Sequence, residues 1–266
     1  MFGWHKNEEG YTREDGYKSP LGAISGIGVI LVILFMIARP YLSQQGALHS
    51  MSSEQGADAA LTGDAEAGRL MTLIKARYPD DYRRIVAAVQ AKAGAGDMDA
   101  VRSATERLVG ALVERESRYL AQAPDAALIR IVDVQFSLLD ELHNFPNDCM
   151  RFISGVMLPR ELRGESRPKL EELAILRLTA MADGHQNPAG RSAPILDAAT
   201  GKALEDALAA QGASRATLDI LGGKRLANQA SYRVQCDAEY ELIRAIRALP
   251  PAQRARAFGS TYSGQM

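Results

Sequence analysis

Only two of the 266 residues are cysteine, aromatic residues make up 6%, there is a single tryptophan, and neither sign of charge dominates. Each scarcity excludes something. Two cysteines are too few for a disulfide-framework mini-protein or a cysteine-rich structural zinc site. With 31 basic and 32 acidic side chains the formal net charge is −1, which argues against a nucleic-acid binder driven by phosphate neutralisation. The sequence holds no H-E-x-x-H and no G-x-S-x-G, and no Ser-x-x-Lys spacing reads as a catalytic site. The stretch Ile220-Leu221-Gly222-Gly223-Lys224-Arg225 has Leu218 where a phosphate loop needs its first glycine and Arg225 where it needs Ser or Thr. No cofactor motif and no metal-ligand spacing emerge. What is abundant is alanine, 42 residues, and alanine with leucine favours helix over sheet.

Against this even background one run stands out. Residues 21–38, LGAISGIGVILVILFMIA, carry no charge, and 18 residues is near the minimum for a helix that crosses a bilayer. Pro20 suits a first helical turn, Arg39-Pro40 closes the run, and Tyr17 and Tyr41 sit at the two interfaces. A cleaved signal peptide is the competing reading. Against it stand the 20-residue mixed-charge segment that precedes the run, with Glu8, Glu9, Glu14 and Asp15, and Pro40 where cleavage would be hindered. The run therefore reads as an uncleaved signal anchor. Lys6, Arg13 and Lys18 precede it, whereas Arg39 is followed by no basic residue until Arg69, so the positive-inside rule puts residues 1–20 in the cytoplasm. Gly22 and Gly26 form a small-x-x-x-small pattern that lets helices approach closely, a route to a homo-oligomer through the membrane helix.

Residues 39–63 are polar and rich in Gly, Ser, Gln and Ala, and read as a flexible tether of about 25–30 Å. From 64 to 257 the apolar spacing is helical, so the sequence predicts an all-α domain, one unit or two joined near 184–196, with a flexible tail over 258–266. Helices are expected over 64–77, then from a cap at Asp80 with Tyr82, Ile85, Val86 and Val89 on one face, then over 98–122. Further helices are expected over 126–143, 149–158, 168–181, 197–210, 217–221 and 227–248, with loop from 182 to 194 and no convincing β-hairpin. The 126–143 segment is apolar almost all round, which marks a central helix.

Cys149 and Cys236 stand 236 − 149 = 87 positions apart. In an oxidising compartment such an isolated pair is usually a disulfide; the alternative is a reactive thiol at Cys149, near a helix N-terminus, and the absence of C-x-x-C argues against redox catalysis. The best polar constellation is Asp140-Glu141-Leu142-His143. A spacing of three puts Asp140 and His143 on one helix face, where a carboxylate could orient an imidazole. The competing role for His143 is an interaction with the helix C-terminal dipole. His185 reads as a surface turn. Arg244, Arg247, Arg254 and Arg256 could form a patch for an anionic partner or, alternatively, a solvated face. Arg and Ala bias suggests a GC-rich bacterial genome. The sequence thus points to a single-pass inner-membrane protein whose helical domain lies in the periplasm for protein–protein interaction or envelope assembly. A membrane-anchored envelope hydrolase using acidic residues or the Asp140/His143 pair is the alternative.

Overall fold

A computed structural model describes residues 50–63, 68–153, 166–190, 196–221 and 231–262, with the backbone of 4–7 and 10–13. The apolar run 21–38, with Gly22 and Gly26, lies outside the described residues. Among the described residues no helix is long and apolar enough to cross a membrane. Trp4–Asn7 (β1) and Gly10–Arg13 (β2) pair antiparallel, Trp4 opposite Arg13. This corrects the expectation of no β-hairpin. The remaining described elements are helical.

The chain enters the domain earlier than its composition suggests. Glu54–Gly63 is helix α1, and Met51, Ala57, Ala60 and Leu61 are buried, so the segment 39–63 is not tether throughout. Alanine gives a weak amphipathic signal, yet its small side chain lets helices pack closely. Helix α2 spans Gly68–Arg77. In α3 (Pro79–Gly94) proline takes the first turn, and the cap position is Tyr78 rather than Asp80. Tyr82, Ile85, Val86 and Val89 are all buried, as their spacing predicts. Asp97 caps α4 (Met98–Glu116), accepting from the Ala100 N–H, and the chain continues as a 3₁₀ segment, Ser117–Gln122.

The apolar segment forms α5 (Asp125–Leu142). Leu128, Ile131, Val132, Gln135, Leu138, Leu139 and Leu142 are buried, while Ile129, Val134 and Phe136 are half-buried. It is followed by α6 (Pro146–Ile153). Helix α7 (Ser166–Gln186) runs past the expected stop at 181 and takes up part of the predicted 182–194 loop. Gly184 permits this: a Cβ there would lie 2.1 Å from the Tyr119 carbonyl oxygen, so the glycine admits the 3₁₀ segment rather than ending the helix. Helices α8 (Ala198–Ala210), α9 (Arg215–Leu221) and α10 (Tyr232–Ala248) follow. Pro250-Pro251 then starts a further helix, α11 (Pro251–Tyr262). Ala255, Ala257 and Phe258 are buried in it, which corrects the flexible tail expected from 258.

Cys149 on α6 and Cys236 on α10 are fully buried and disulfide-bonded, with Cα atoms 5.9 Å apart, a separation that suits such a bridge. One cluster of buried residues extends from Met51 to Phe258. The possible division near 184–196 does not interrupt it.

Candidate functional site

Asp140, Glu141 and His143 lie at the C-terminal end of α5, and the structure gives each a different partner. Asp140 accepts a hydrogen bond from the Tyr240 hydroxyl at 2.8 Å. Burial, reinforced by that bond to Asp140, holds the Tyr240 phenol above its ordinary range. His143 Nε2 lies 2.9 Å from Asp237 Oδ1, its ring stacks on Tyr240 at 4.4 Å, and its carbonyl accepts from Arg233 at 2.7 Å. Asp140 and His143, which could have formed a dyad, instead make two contacts that join α5 to α10. Neighbouring helices offer closer partners than the same turn does.

Glu141 differs from its neighbours. Its Oε2 accepts from Ser166 Oγ at 2.5 Å, and its Oε1 accepts from Lys169 Nζ. Ser166 opens α7 and is buried. Lys169, three residues on, shares its helix face. The Ser-x-x-Lys spacing that sequence reading passed over is thus present as Ser166-Arg167-Pro168-Lys169, with both polar groups on one carboxylate from α5.

Two further clusters escaped sequence reasoning. In the core, Gln135 (0% exposed) links α5 to Arg177 of α7 and Glu239 of α10, each 1% exposed. Its Oε1 accepts from Arg177 at 2.6 Å and its Nε2 donates to Glu239 at 3.1 Å. This polar bridge fixes three helices in register. At the other end of α7, His185 Nδ1 lies 2.8 Å from the buried Glu116 Oε2, and its ring stacks on Tyr119 at 4.1 Å. Arg115 donates to Glu116 at 2.8 Å and forks onto both oxygens of Asp81; the Asp81 bond leads in raising the already high Arg115 pKa. His185 is therefore a helical residue bound to a carboxylate, not a surface turn. With Nδ1 facing Glu116, the second ring nitrogen makes no hydrogen bond among the described residues.

A half-open cleft of about 790 Å³ lies between α1, α2 and α3, within the range of ligand sites. Its apolar lining comes from Pro79, Tyr82, Val86 and Ala87, on one face of α3. Asp58 closes one side, accepting from Lys75 Nζ at 2.7 Å and Tyr82 Oη at 2.8 Å. These two bonds, Lys75 first, hold the Asp58 carboxyl below the usual carboxylate range. Burial and the same Asp58 contact push the Tyr82 phenol up. Glu54, Gln55 and Gln90 also line the cleft, and their side chains make no hydrogen bond or ion pair among the described residues.

Of the four arginines that could form a basic patch, three are paired with carboxylates. Arg247 and Arg254 pair with Asp133 at 3.1 and 3.8 Å, and Arg256 with Asp197 at 2.8 Å; only Arg244 of the four makes no ion pair among the described residues. Burial raises the Asp197 pKa, but hydrogen bonds from Thr200 and Arg256 outweigh it, and the net shift is downward. Among the described residues no group of His, Cys, Asp and Glu could hold a metal ion. No family model, curated protein or solved structure matches this chain.

Proposed function

We propose that this protein is a membrane-tethered binding domain of the bacterial envelope. Residues 21–38 anchor it in the inner membrane, the N-terminal segment faces the cytoplasm, and the helical domain engages a protein partner in the periplasm. Close approach at Gly22 and Gly26 provides for self-association. The observation that carries the binding role is the distribution of uncommitted polar groups. Asp140, His143 and most of the arginine patch are spent on contacts between helices, whereas Glu54, Gln55 and Gln90 remain available around an open, partly apolar cleft. The buried Cys149–Cys236 bridge supports the compartment, because disulfides persist where thiols are not kept reduced.

A photo-activated crosslinker placed at Gln90 in intact cells tests the reading. A discrete heterologous adduct is expected, absent when the crosslinker stands at Asp206 on the exposed side of α8. Identical product patterns from the two positions would contradict it.

A further inference from the structure

Resting on the binding role proposed above, we infer that the partner places in the α1–α2–α3 cleft an amphipathic helix carrying a lysine or arginine that pairs with Glu54. Shape comes first. The α3 wall of the cleft is formed by Pro79, Tyr82, Val86 and Gln90, spaced three or four residues apart and so on one helix face. From Pro79 to Gln90 that wall is about 16 Å long, roughly three turns of helix. Tyr82 and Val86 are buried beneath it. Ala87 is exposed beside them, a side chain small enough for a second helix to approach at the usual packing distance of about 8–10 Å. All three walls are helical, so they offer no strand edge to an extended peptide. Among the described residues the cleft has one aromatic side chain, Tyr82, which is buried with its hydroxyl on Asp58. That leaves no aromatic platform for a polyproline segment. Of the recurring modes of peptide recognition, a helix laid in a groove is the one this geometry accommodates.

Charge decides what that helix carries. Asp58 is held by Lys75 at 2.7 Å, and Arg83 by Asp80 one turn earlier on α3. Glu54 is the one charged lining group with no ion pair among the described residues. It opens α1 and is exposed, yet it is not needed to cap that helix, because the Ser53 hydroxyl accepts from the Gly56 N–H at 3.1 Å. An uncompensated carboxylate beside a strip of apolar surface selects an apolar segment with a cation at its edge. A partner helix with apolar residues at i, i+3 or i+4 and i+7, and a lysine or arginine on its flank, meets both demands. The amides of Gln55 and Gln90 are left to bond its polar flanks.

Mass spectrometry of the adduct formed by the crosslinker at Gln90 identifies the partner segment that lies in the cleft. A segment with apolar residues at that spacing and a Lys or Arg within one turn of them is expected. Made as a fluorescent peptide, it should bind the full-length protein in detergent micelles and gain helical circular dichroism on binding. Glu54→Gln should weaken binding by about two- to fivefold, the range of an exposed ion pair, and Glu54→Lys by about tenfold or more through like-charge repulsion. Replacing the peptide's cation with glutamate should weaken binding to wild type and restore binding to Glu54→Lys, a rescue that an unfolded variant could not show. Glu114→Lys, exposed on α4, should bind as wild type does. An acidic joined segment, a peptide that stays non-helical when bound, or equal affinity of wild type and Glu54→Lys for the peptide overturns the inference, while the heterologous adduct and with it the binding role stand. No adduct at Gln90, or one formed only between two copies of this chain, overturns both.

Discussion

At the residue scale, the polar side chains divide according to what burial demands of them. Asp58 is half-exposed yet tied to Lys75 and Tyr82, and its lowered pKa has a definite sign in stability. The unfolded chain binds its proton near pH 4, the folded one only below that. The stabilisation is therefore complete above the ordinary Asp value and is lost as pH falls through the depressed one. Acid titration of the melting temperature should show a steeper loss below about pH 4 in wild type than in Asp58→Asn. Gln135 tests the opposite case. Gln135→Leu nearly preserves volume but leaves Arg177 and Glu239 each one hydrogen bond short in the core. Denaturant unfolding should report a loss of about 2–3 kcal/mol. No loss would show that this bridge contributes nothing net. Sequence could not reveal it, because Arg177, flanked by Leu176 and Leu178, reads as the exposed member of an amphipathic turn.

At the element scale, the helices with branched apolar residues in strict spacing were legible. Those built from alanine or bounded by Gly and Pro were not. Tyr82, Ile85, Val86 and Val89 identify α3 at once. Helix α1 was missed because Ala57 and Ala60 carry little periodic contrast, and α11 because Pro250-Pro251 reads as a stop although proline also opens helices. Gly184 reads as a terminator but serves close packing. Gly184→Ala should cost about 1–3 kcal/mol or more, since the added methyl meets backbone rather than a movable side chain. A melting temperature equal to or above wild type would show that the 3₁₀ segment can move aside. The α5 core is tested by Leu139→Ala, fully buried, with an expected cost of about 2–5 kcal/mol. The exposed control Glu114→Ala should change stability by less than about 0.5 kcal/mol.

At the scale of the whole molecule, the helical class and the cysteine pairing followed from composition and count, while the site did not. Asp140 and His143 share a helix face as their spacing requires, but pairing in the fold is decided by α10, which sequence order places about 90 residues away. The Ser166–Lys169 spacing was readable, but that both side chains meet the Glu141 carboxylate of α5 was not. The bridge from α6 to α10 closes a separation of 87 residues. Its loss should cost about 4–5 kcal/mol in the chain-entropy model. Cys149→Ser and Cys236→Ser should be equally destabilising, and the double variant little worse, because the two positions act as one unit.

The central claim, a disulfide-linked domain tethered outside the cytoplasm, is tested most directly by alkylating whole cells under denaturing conditions without reductant and counting modified thiols on this protein. The account predicts none at Cys149 and Cys236 before reduction and two after it, with a reporter active only outside the cytoplasm giving signal when fused after Met266. Two free thiols in unreduced cells, together with a fusion active only in the cytoplasm, would contradict it.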